Sequence, residues 1–82
     1  MKISARNVFK GKVVEVKPGN VNTEVIIEIP GGPSGHGDAK ASASGMQIVA
    51  MISKDSAAHL GLKKGKTAYA VIKASSVMVA ID

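Results

Sequence analysis

The sequence predicts an all-β domain of five short strands with a single short helix after the third. Three observations carry that expectation. The apolar mass of the chain is Val, Ile and Ala, with one Phe and one Tyr, a composition suited to pleated, half-buried surfaces. Period-two runs recur, clearest from Thr23 to Ile29, where Val25, Ile27 and Ile29 share one face and Glu24 and Glu28 the other. Short turn signals such as Pro18-Gly19-Asn20 separate the runs.

In order, Ile3 to Asn7 is a short mixed segment. Phe9 to Val16 reads as the first strand, with imperfect alternation: Val13 and Val14 are adjacent, and interior Gly11 marks a bulge or sharp bend. Thr23 to Ile29 completes a hairpin with it. Pro30 to Gly45 is small, polar and Gly-rich with no apolar face to bury, and reads as a long mobile loop. His36 and Asp38 within it are two potential ligands on a segment unable to fix a coordination geometry, so they read as solvated. Gln47 to Ser53 alternates again. Ser53 is a helix N-cap, Lys54 to Leu60 forms about two turns, and Gly61 stands where a helix-ending glycine belongs. Leu60 and Leu62 are expected to close one end of a barrel. Lys63-Lys64-Gly65-Lys66 reads as a solvated turn. Thr67 to Lys73 and Val77 to Ile81 are the last strands, broken by an Ala74-Ser75-Ser76 corner. This order matches a five-stranded, OB-like Greek-key barrel.

Eighty-two residues make one domain, and a domain of that size is marginal alone. Cysteine is absent, which removes disulfides and thiolate metal sites. With 45% hydrophobic residues in so short a chain, oligomerisation is the expected source of further stability. The formal charge of +5 favours anionic partners. No apolar run approaches the roughly 20 residues of a membrane span, and the N-terminus lacks a signal-peptide core, so a cytoplasmic location without membrane partners is expected.

Two donor clusters stand out. Lys73-Ala74-Ser75-Ser76 offers a cation, hydroxyls and backbone amides within four residues, and Ser4-Ala5-Arg6-Asn7 repeats that chemistry at the other end of the chain. Consecutive amides of this kind form anion-binding nests. The two ends are expected to meet, within or between subunits, around one anion. Taken singly, each residue has a plainer reading: Ser4 and Arg6 as polar edge-strand residues, Lys73 as a surface charge, Ser75-Ser76 as a turn, His59 as packed or exposed.

Several blocks together resemble the molbindins, the small Mop or TOBE-type molybdate-binding proteins. These are Met1 to Asn7, Lys10 to Val14, Val21 to Val25, Ser56 with Leu60 to Lys66, and Ala70 to Met78. The likeness covers nearly the whole chain, with Thr23 where the family more usually has alanine and with Pro30 to Gly45 longer than its usual turn. The resemblance implies a single oxyanion-binding domain over residues 1–82, with 30–45 as a loop insertion. It implies a homo-hexamer, a trimer of dimers, that binds molybdate or tungstate at subunit interfaces for intracellular storage, buffering or homeostasis. The ligand is the oxyanion; no separate cofactor or free metal cation is implied. Carried onto this chain, the anion residues are Ser4, Ala5, Arg6, Asn7, Lys73, Ala74, Ser75 and Ser76. Val21, Asn22 and Thr23 are candidates for a second anion site, which Asn22 would line at a three-fold contact; the first reading of Asn22 is turn chemistry.

Molybdate at neutral pH is a tetrahedral dianion with acceptors only, so a donor-only site suits it. Arg6 can supply a forked pair of hydrogen bonds and Lys73 a mobile charge. Such a site disfavours monohydrogen phosphate, whose proton would lack an acceptor. Two other function classes fit less well. A nucleic-acid-binding OB module fits the charge but wants aromatic platforms, and only Phe9 and Tyr69 are available, Phe9 reading as core. A molybdate-sensing module acting on a protein partner is the other. An enzyme is not expected, since no nucleophile, base and acid stand at motif spacing.

Overall fold

The structure, a computed structural model, describes residues 2–31 and 45–82. Among them are four strands: β1 (Asn7–Pro18), β2 (Asn22–Ile29), β3 (Met46–Ser53) and β4 (Thr67–Ile72). Helix α1 (Lys54–Leu60) follows β3, and a 3₁₀ turn (Ala74–Ser76) follows β4. The strands form one antiparallel sheet in the order β3-β2-β1-β4, curled into a half-barrel.

The curl originates in β1, which belongs to two ladders. Its first half pairs with β4, from Asn7 opposite Ile72 to Lys12 opposite Thr67. Its second half pairs with β2, from Lys12 opposite Glu28 to Pro18 opposite Thr23. Gly11 sits at the handover. A Cβ there would collide with the Glu28 carbonyl and stand 2.7 Å from Ile29 Cδ1, so β2 crosses where only glycine leaves room. Two residues on, the register slips between Val13 and Glu15, a β-bulge at Val14. The bulge accounts for the adjacent valines: Val13 is buried and Val14 is the extra residue.

Alternation places Thr23, Val25 and Ile27 of β2 inward, all buried, against Val13 and Ala70, with Phe9, Ile48, Ile52 and Leu62 packed around them. Helix α1 has the expected limits. The Ser53 hydroxyl oxygen accepts from the Ser56 amide at 3.1 Å. At the other end Gly61 N–H donates to the Ala58 carbonyl and Leu62 N–H to that of Ala57, the paired bonds of a Schellman ending. The turn at 63–66 is pinned to the β1 bulge, where Val13 N–H donates to Lys66 and Gly65 N–H to Val13.

Four expectations need correction. The first strand extends to residues 7 and 18, because the β4 ladder lengthens one end and the β2 ladder the other. Leu62 packs on the core, whereas Leu60 is 56% exposed and is not among the residues packed against that core. Lys66 is more than a solvated turn residue, since its ammonium donates to the Leu60 and Gly61 carbonyls. The fifth strand is not formed: residues 77–82 have no regular structure, and Met78, Val79 and Ile81 are 93%, 89% and 93% exposed. A strand exists only against a partner edge, and among the described residues this run pairs with none.

Of the long loop, residues 32–44, with His36 and Asp38, lie outside the described residues. Its neck is described. Ile29 opposite Met46 is the last pair of the β2–β3 ladder. Gly45 follows at φ +65°, and the Gly31 nitrogen lies 3.3 Å from where a Gly45 side chain would begin.

Candidate functional site

The β1–β4 ladder brings the two donor clusters to one place. Its last pair is Asn7 opposite Ile72. Ser4, Ala5 and Arg6 lie immediately before Asn7, and Lys73 to Ser76 immediately after Ile72, so both clusters leave the same end of the sheet on neighbouring strands. One more step in the same register would set Arg6 opposite Lys73. The ladder stops because the chain turns: Ser76 N–H donates to the Lys73 carbonyl at 2.8 Å, and Val77 N–H to that of Ala74 at 3.2 Å. The ladder thus sets the two runs side by side at one end of the sheet within one chain.

Ser4, Arg6, Lys73, Ala74, Ser75 and Ser76 are exposed, while Ala5 and Asn7 are half-buried. The cations and hydroxyl-bearing residues are therefore open to solvent. The amides of Ala74 and Ser75 open the 3₁₀ turn, where the first N–H groups have no acceptor inside the turn. Two cations, hydroxyls and amides in this arrangement can hold a small oxyanion from one side. Asn7 differs from the rest: its side-chain amide donates to the Ile72 carbonyl at 3.2 Å. Sequence reasoning grouped Asn7 with the anion donors because no local signal announces a bond across 65 residues.

Val21, Asn22 and Thr23 lie at the opposite end of β1, where Pro18 pairs with Thr23. Val21 is 74% exposed and Asn22 is exposed, but Thr23 is 2% exposed and its side chain belongs to the core. The Val21 and Asn22 carbonyls accept from the Lys54 and Gly19 amides. Only Val21 and Asn22 of this trio face solvent.

The sequence pattern did not disclose an apolar trough between β3 and β4, the two edge strands among the described residues. It has a volume of about 800 Å³ and is lined by Ile48, Ala50, Ile52, Ala68, Ala70 and Ile72 above Val25 and Ile27. Its signal was indirect: more apolar residues than one small chain can cover.

Comparison with known proteins gives a consistent result. The TOBE domain family matches residues 3–35 and 36–79. The chain is 44% identical over 79 residues to molybdenum-pterin-binding protein 3 of Clostridium pasteurianum, covering 96% of this chain and 97% of that one. Among solved structures it is similar to MopII from Clostridium pasteurianum (apo2), with TM-score 0.77 and 41% identity over 98% of this chain and 100% of that chain. It is also similar to the cytoplasmic molybdate-binding protein ModG with molybdate bound, with TM-score 0.74 and 38% identity over 95% of this chain and 46% of that chain.

Proposed function

This chain belongs to the TOBE domain family, and from that premise we propose that it binds molybdate. The observation that carries the reading is the shared end of the β1–β4 ladder, where Ser4-Ala5-Arg6 and Lys73-Ala74-Ser75-Ser76 leave side by side. The names of its relatives support it, being those of molybdenum-pterin-binding and molybdate-binding proteins rather than of enzymes. Arg6 and Lys73 supply the charge, Ser4 and Ser75 hydroxyls, and the neighbouring amides fixed donors. Charge-assisted bonds are the strong ones here. Tungstate, of like charge and shape, is the second ligand.

The cluster is open on its solvent side, which supports a site completed between subunits. Two features support a homo-oligomer. The trough between β3 and β4 is apolar and uncovered by the described residues, and the run from Val77 to Ile81 is apolar and unpaired. The same run in a neighbouring copy suits the trough as its missing strand. A hexamer built as a trimer of dimers, with Val21 and Asn22 near a second anion position, follows from the same reading. The role is molybdenum storage, buffering or homeostasis, in the cytoplasm as for ModG. The nucleic-acid alternative is weakened by Phe9, which packs against the core and leaves Tyr69 as the single exposed aromatic side chain, too few for a stacking platform.

Calorimetric titration with molybdate, tungstate and sulfate tests the proposal. Saturable uptake of the first two with weaker uptake of sulfate is expected, and equal, salt-screened response to all three would overturn it.

A further inference from the structure

We infer that Asn7 is the positioning residue of the anion site rather than one of its ligands: its side chain sets the direction in which Lys73 and the Ala74–Ser76 turn leave β4. The inference rests on the molybdate-binding reading above. Its geometry comes from one bond, Asn7 Nδ2–H to the Ile72 carbonyl at 3.2 Å, part-buried and made at the last pair of the ladder. That oxygen belongs to the peptide joining Ile72 to Lys73. A peptide unit is planar, so holding its oxygen also orients the amide and Cα of Lys73. Lys73 then continues at φ −65° and ψ 134°, and its own carbonyl accepts the Ser76 amide that opens the turn. The directions of Lys73, Ser75 and Ser76 therefore descend from a plane that Asn7 grips.

On its other side Asn7 adjoins Arg6 through the backbone. One residue thus couples the two donor clusters, by main chain to one and by side chain to the other. The residue type fits the task. A donor at the end of a two-carbon arm is needed to meet a carbonyl, and aspartate would set an acceptor against an acceptor and a charge beside a dianion.

The test combines hydrogen exchange on the anion-free protein with molybdate titration, in the whole chain at pH 8. In the wild type the Ser76 and Val77 amides are bonded and should be protected. Asn7→Ala should speed exchange at those two amides about tenfold, leave the β1–β4 ladder amides unchanged, and weaken molybdate binding by about tenfold. Asn7→His, whose neutral ring places an Nδ1–H the same number of bonds from the backbone, should restore both. Lost affinity with unchanged exchange would make Asn7 a direct ligand and overturn the inference. Faster exchange with unchanged affinity would overturn it too, leaving a bond that serves only the fold. If Asn7→Ala does not fold, Asn7→His decides: wild-type exchange and affinity support the inference, and wild-type exchange with lost affinity overturns it. Wild-type protein that takes up no molybdate overturns the site reading itself, a failure seen before any variant is made.

Discussion

The ammonium of Lys66 lies 2.8 Å from the carbonyl oxygen of Leu60 and 3.3 Å from that of Gly61, so the residue preceding β4 caps the end of α1. A helix leaves its last carbonyls without partners and carries partial negative charge there. Lys66→Met removes the cap and keeps the aliphatic stem. It should lower stability by about 0.5–1 kcal/mol, read as a shift in urea midpoint. Lys64→Met in the same turn should change it by less than about 0.5 kcal/mol.

Gly11→Ala tests the crossing that curls the sheet. The new methyl would meet the Glu28 carbonyl as well as the side chains of Ile29 and Ile27. Backbone cannot move aside as a side-chain tip can, so destabilisation of about 1–3 kcal/mol or more is expected. A neutral result in denaturant unfolding would show that β1 and β2 part there without cost.

At the anion site the expected order of effect is Lys73 above Ser75 above Lys64. Lys73→Ala removes a charged donor and should weaken molybdate binding about ten- to a hundredfold. Ser75→Ala removes a neutral donor while amides remain, and should cost less. Lys64→Ala should barely register beyond salt-screened attraction. Equal losses in calorimetry would mean that diffuse positive charge holds the anion.

Replacing residues 32–44 by a short Gly-rich turn should leave folding and anion binding intact. Changing loop length severalfold alters closure entropy by only about 1 kcal/mol. Lost binding with a preserved thermal transition would instead assign that stretch to a site or an interface.

Ending the chain after Ser76 should reduce its assembly, because the removed run is the apolar segment proposed to fill a neighbour's trough. Light scattering at micromolar concentration should show an oligomer for the whole chain and a smaller species for the shortened one. The monomer mass of 8.4 kDa for the whole chain would refute the oligomer.

Elements set by local chemistry were legible in the sequence. Helix α1 begins and ends where Ser53 and Gly61 said it would, because capping is a matter of neighbouring residues. The β2 and β3 runs followed from alternation. What depends on a distant partner was not legible. The adjacent Val13 and Val14 hinted at irregularity, but a bulge at Val14 is defined only against β2. Val77 to Ile81 has strand composition but pairs with no edge among the described residues. Thr23 is in phase with Val25 and Ile27, and its burial removes its side chain from the second anion position to which the sequence assigned it. The donor residues Ser4, Arg6, Lys73 and Ser75 were legible as two clusters, and the ladder supplied their adjacency. The bond from Asn7 to Ile72 was invisible, since nothing in either neighbourhood names the other.

The neck at Gly31 and Gly45 has an evolutionary consequence. Ladder pairs close on the barrel side of it, ending with Ile29 and Met46, and the two glycines stand against each other beyond that pair. The β2–β3 register is thus complete before the chain enters that stretch at Gly31 and after it leaves at Gly45. A lineage can therefore lengthen or recompose that stretch without disturbing one register pair, and the family match divides at residues 35 and 36, inside it. The register pairs on the barrel side are set by β2 and β3 alone. That arrangement makes the neck a graft point, where a reporter domain with adjacent termini can be spliced in while the strands on either side keep their partners.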